Sequence, residues 1–191
     1  MKKGDLGGYV WSERALSQYD DCWIQKDSKV MGNSMVCLDA VIGNKSVISG
    51  YVVISGNSVV RKSVISGDVL ITGDAFVYGC DVSGHIKIYE HAIVEEYAKI
   101  SGNIHICGYT LIHGTKKHSI VINNDEYFET FMLRDGKNTP THITWTRSND
   151  MYSNVLLTCV NKNKMLNFVK YNNGEEKMKY IKRWMDSMCV K

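Results

Sequence analysis

The chain carries 6 His and 6 Cys, and these are the first residues to test for chemistry. His85 follows Asp68 by seventeen residues, and His91 follows Asp74 by the same interval. If a repeat of that length stacks the chain, each Asp lies beside a His and can orient its imidazole as a general base. Such a pair is more often a surface contact of small energetic worth, and that reading is preferred here. Three zinc-binding histidines shared between subunits are a second option. The spacing from Gly84-His85 to His91 is wrong for it, and no His precedes residue 85. The cysteines at 22, 37, 80, 107, 159 and 189 are scattered, with no CxxC. They read as free packing thiols, and no metal site is expected. The chain has no GxGxxG, P-loop or HExxH motif. No catalytic residue and no cofactor are therefore assigned.

The element that would position these side chains is a six-residue repeat. Stepping by six from Ile24 gives Val30, Val36, Ile42, Ile48, Ile54 and Val60. The register drops one residue to Ile65, Ile71 and Val77, and one more to Val82. It then runs through Ile88, Val94, Ile100, Ile106 and Ile112. Most repeats read aliphatic-x-Gly-polar-small-x, as in Ile71-Thr72-Gly73-Asp74-Ala75-Phe76. The aliphatic residue and the small residue two places before it point inward, and Gly supplies the positive φ of a corner. Three repeats make one triangular coil, and coils stack about 4.8 Å apart. The two short repeats, 60–64 and 77–81, start seventeen residues apart and so share one corner. A sandwich of short strands does not predict that alignment. The expected fold is mainly β: a left-handed parallel β-helix of about five triangular coils, then a small α+β C-terminal domain. The expected boundaries are a cap over 1–23, the β-helix over 24–115 and the C-terminal domain over 116–191.

Stacking turns outward positions into columns. Val41, Val59, Phe76, Ile93 and Leu111 form an apolar stripe, which predicts an interface in a homo-oligomer, with a three-fold trimer favoured. The competing reading has the C-terminal domain folding over it. Ser49, Ser66, Ser83 and Ser101 form a hydroxyl ladder on a second face. Met35, Val53, Leu70, Lys87 and His105 form a mixed column on the third.

After Gly114 the six-residue pattern stops. Strands are expected at 119–122, 127–133, 142–147 and 154–160, with a hairpin turn at Asp135-Gly136 and Pro140 in the loop after it. Helices are expected at 162–171 and 175–188. In the second of these, Met178, Ile181, Trp184, Met185 and Met188 form an apolar stripe, with Lys177, Lys179, Lys182 and Arg183 outside it. Residues 1–114 hold 10 Lys and Arg against 12 Asp and Glu, and residues 115–191 hold 13 against 8, giving −2 and +5. A +5 domain permits contact with nucleic acid or an acidic protein, although a solvated face has the same signature. Residues 143–151 are polar around Trp145. Arg147, Ser148 and Asn149 can bind an anion or a partner, or close a hydrogen-bonded turn. The candidate partner-binding set is Trp145, Arg147, Asn149, Lys179, Lys182 and Arg183. No run of 18 apolar residues and no signal-peptide core are present, so a cytoplasmic location is expected.

The opening Leu6-Gly7-Gly8-Tyr9-Val10, then Leu16-Ser17-Gln18 and Cys22-Trp23-Ile24, resembles the head of a family of phage and prophage hexapeptide-repeat proteins. Residues 143–151 resemble a segment of some members' C-terminal domains. Members are described as transferase-like or polymer-forming. The resemblance implies a phage-encoded protein acting in the host cytoplasm. It gives a non-enzymatic binding protein, of the kind that inhibits a host defence system such as a CRISPR effector, as the leading expectation. An acyl or nucleotidyl transferase with an inter-subunit site, or a structural polymer, is the alternative. Large corner residues (Tyr51, His85, His91, Tyr97, Tyr109) depart from the family pattern and imply a surface adapted to one partner.

Overall fold

The computed structural model describes residues 6–114, 116, 119–123, 128–134, 140–147, 155–161 and 164–171, the last four stretches as backbone alone. The repeat folds as a parallel β-solenoid. One face is a 6-stranded sheet, with the strands starting at Trp23, Val41, Val59, Phe76, Ile93 and Leu111 in consecutive order, which corresponds to about six turns. The other two faces belong to a 10-stranded sheet. Helix is almost absent from the described residues, limited to the 3-10 turn Glu13–Ala15.

The interior is built as the hexad pattern requires. Ile24, Ile42, Val60, Val77, Val94 and Ile112 stack in one column, each at most 2% exposed. Ile48, Ile65, Val82 and Ile100 form a second column, and Ile54, Ile71, Ile88 and Ile106 a third. The small inward positions Ala40, Ser58, Ala75 and Ala92 are buried as well. Ser46, Ser63 and Cys80 make a buried polar rail. The amide of Ser63 donates to Ser46 Oγ at 3.3 Å, and that of Cys80 to Ser63 Oγ at 3.2 Å. Burial pushes the Cys80 thiol up to about 12. Cys22, Cys37, Cys80 and Cys107 are free thiols.

The two short repeats do stack. At their corner Lys62 (φ +52°) and Gly79 (φ +66°) each turn the chain with one left-handed residue. The turns on either side use two, Asn44–Lys45 and Glu96–Tyr97. The ladder survives the change because the Lys62 amide donates to Gly43 O and the Gly79 amide to Arg61 O.

The parallel ladder extends past both ends of the visible repeat. Tyr9–Val10 pairs with Lys29–Val30, and Leu16 bridges to Val36, so the residues before Trp23 lay a partial turn over that end. Ile120–Ile122 pairs in parallel with Ala98–Ile100. It thus adds one more strand to the parallel ladder.

Beyond it, Phe128–Arg134, Pro140–Arg147, Val155–Asn161 and Lys164–Tyr171 form a 4-stranded antiparallel sheet. Of the expected helix over 162–171, the described part is not helical: Lys164–Tyr171 is a strand that pairs back from Asn161↔Lys164 to Val155↔Tyr171. Its apolar positions 165, 166, 168 and 169 mimic a helical period, but pairing with Val155–Asn161 decides the outcome. Pro140 opens a strand instead of lying in a loop, at a first position where its missing N–H costs no ladder bond. The expected helix at 175–188 lies outside the described residues.

Candidate interaction face

The 6-stranded face shows two outward positions per rung, on either side of the buried aliphatic. The first column is apolar. Register places Trp23 beside Val41, Val41 beside Val59, Val59 beside Phe76, Phe76 beside Ile93 and Ile93 beside Leu111. Side chains from Trp23 to Ile93 are half-buried, because each leans on its neighbours about 4.8 Å away. Leu111 is only 3% exposed. Its strand lies close to the C-terminal strands Pro140–Arg147 and Val155–Asn161. The C-terminal sheet thus meets the solenoid at its last rungs.

The second column was not singled out from sequence. It runs Gly43, Arg61, Tyr78, Glu95, His113, with Gln25 laid over Gly43 at the first end. The signal was available, since each member follows an inward aliphatic by one place. Phe76 and Tyr78 are stacked side by side, with centroids 6.2 Å apart, and Lys62 Nζ lies 5.7 Å from the Tyr78 ring. His113 Nδ1 and Glu95 Oε1 are 3.1 Å apart, with side chains 16% and 24% exposed. Arg61 Nε is buried and has no hydrogen-bond partner among the described residues.

The two His–Asp pairs form as the repeat implies. His85 Nδ1 is 3.3 Å from Asp68 Oδ2, and His91 Nδ1 is 3.1 Å from Asp74 Oδ2. They sit on successive corners and are open to water, the first pair with side chains 75% and 69% exposed. Asn57 Nδ2 donates to Asp74 at 2.8 Å, and Tyr109 stacks on His91 at 4.7 Å, so the second pair is one stretch of a polar corner ladder. Exposed pairs of this kind contribute little energy. Beside that ladder, a hydrogen bond with Cys107 raises the Tyr89 phenol. Among the described residues, no three His, Cys, Asp or Glu side chains come together as metal ligands would.

The serine ladder is formed by Ser66 beside Ser83, with Ser49 and Ser101 continuing it. The mixed column forms as well, from Met35 beside Val53 to Lys87 beside His105. Trp145 and Arg147 stand two places apart in the strand Pro140–Arg147. Asn149, Lys179, Lys182 and Arg183 lie outside the described residues. No helix among the described residues is long and apolar enough to cross a membrane, which says nothing of membrane β-barrels.

No family model matches the chain, and neither the curated proteins nor the solved structures include a match to it.

Proposed function

We propose that the chain is a non-enzymatic binding protein. Its solenoid, left-handed as the six-residue repeat implies, is a rigid body that self-associates through the Trp23-to-Ile93 face. Its basic C-terminal region, with Trp145, Arg147, Asn149, Lys179, Lys182 and Arg183, engages a protein partner. The resemblance of the head and repeats to phage proteins makes that partner a component of a host defence system acting in the cytoplasm. The observation that supports this reading best is the apolar column itself. Five large or branched apolar side chains stand in unbroken register on a flat face, where a solvated sheet would carry charge. The His–Asp pairs are compatible with it, since each lies on a solvent-exposed corner, where such a pair contributes little.

The test is affinity capture of the tagged full chain from nuclease-treated bacterial lysate. One stoichiometric host protein is expected, and alanine at Arg147, Lys182 and Arg183 together should release it. Recovery of the bait alone overturns the protein partner. In parallel, Phe76→Asp should lower the mass of the purified assembly by placing charge at the middle of the column.

A further inference from the structure

The polar column gives the apolar face a direction. Charge stands on either side of one neutral ring: Arg61 is one rung before Tyr78, and Glu95 is one rung after it. Arg61 is the incomplete member. Its Nε is buried without a hydrogen-bond partner, and it enters none of the ion pairs among the described residues. The side chain as a whole is only half-buried on this outward column, so its guanidinium has an acceptor to gain from outside its own chain. Glu95 retains a quarter of its side-chain exposure beside His113.

We propose that this face binds a second copy of the chain, antiparallel, about a two-fold axis that runs along the strands through the Phe76–Tyr78 rung. The proposal rests on the self-association described above. A two-fold axis along the strand direction lays each column over itself and reverses the order of the rungs. Phe76 then meets the partner's Phe76, and Val59 meets the partner's Ile93. Arg61 meets the partner's Glu95, and the reciprocal pair forms on the other side of the axis.

Other arrangements lose this match. An axis along the solenoid keeps like rungs level, so Arg61 stays beside the partner's Arg61 and two rungs from its Glu95. A parallel three-fold assembly holds like rungs at one height, leaving Arg61 two rungs, or about 9.6 Å, from any Glu95. Moving the antiparallel axis one rung sets Arg61 on the partner's Arg61, or Glu95 on the partner's Glu95. With Leu111 already covered, the contact is centred on three rungs. That is a small contact, so association is weak and reversible.

Sedimentation equilibrium of the full chain over a wide concentration range tests this. A reversible monomer–dimer equilibrium is expected. Arg61→Glu alone and Glu95→Arg alone should each weaken it at least about tenfold, because each sets two like-charge pairs across the axis. The two single variants mixed in equal amounts should associate again, since each supplies the charge that the other lacks. The double variant should dimerise like the parent chain. Circular dichroism confirms that every variant is folded. A trimer, or a dimer indifferent to these charges, overturns the antiparallel arrangement and leaves self-association standing. A monomer at every concentration overturns both.

Discussion

Two corners of the solenoid perform the same turn with different tolerance for side chains. One is the column Gly32, Gly50, Gly67, Gly84, Gly102. The other is Leu38, Gly56, Gly73, Glu90, Gly108. In the first, φ rises to between +94° and +111° from Gly50 onward. That lies beyond the left-handed basin that L-residues occupy. In the second, φ stays between +58° and +73°, inside that basin, and Leu38 and Glu90 adopt it with full side chains. Both columns read as the same repeat position, yet glycine is compulsory at the first from Gly50 onward and merely convenient at parts of the second. Glu90 even uses its side chain there, accepting the Gly108 amide at 2.7 Å.

The largest effect belongs to the strict corner. A Cβ at Gly84 would lie 2.5 Å from Gly102 O and 2.8 Å from Gly102 N, against backbone that is pinned in the ladder. Gly84→Ala also needs a φ of +111°. Strain of this kind costs about 1–3 kcal/mol before any rung is displaced, so a loss of about 3 kcal/mol is expected. Urea denaturation measures it. An unchanged midpoint would mean that the corner can move to the geometry of its neighbour, and the two corners would not differ in tolerance.

The third corner sharpens the contrast, because there the number of residues varies, not only their type. Inserting one glycine after Lys62 places a two-residue turn against the one-residue turn at Gly79. It should disturb one or two ladder hydrogen bonds and cost about 1–2 kcal/mol. Inserting a second glycine after Gly79 makes four consecutive turns alike, with Asn44–Lys45 and Glu96–Tyr97 at the ends. The double insertion should therefore be more stable than either single one. Strictly additive losses would show that the two short repeats are tolerated separately and not as a matched pair.

How much of this was legible follows from what the repeat encodes. Stepping by six, with two one-residue drops, was enough to set His85 on Asp68, His91 on Asp74 and Phe76 between Val59 and Ile93. A parallel ladder allows only that register once the aliphatic residues are buried. The apolar column was visible for the same reason. Arg61, Tyr78 and Glu95 were equally determined by the register, but mixed polar residues draw no notice until an unmatched Nε is seen. The strand Lys164–Tyr171 was misread because Met165, Leu166, Phe168 and Val169 fit a helical stripe, and a short apolar run cannot be assigned by period alone. The difference between the Gly84 and Gly108 corners was invisible too, since glycine at a hexad position gives the sign of φ and not its size.

That last blindness has a mild test at the permissive corner. Gly108 has φ +67°, and a Cβ there would meet only Glu90 Oε2, at 3.8 Å. Asn adopts such a conformation more readily than other L-residues, and its amide can approach the same carboxylate. Gly108→Asn should change stability by no more than about 0.5 kcal/mol, the range of substitutions that create neither strain nor cavity. The unfolded chain also loses some freedom when glycine is replaced, which favours the variant slightly. Measured beside Gly84→Ala, it separates two causes that the repeat position cannot. If both variants fall equally, the burden lies in the sign of φ alone, and the close backbone approach at Gly84 adds nothing. If Gly108→Asn is neutral while Gly84→Ala is not, the size of φ and the 2.5 Å approach carry the cost.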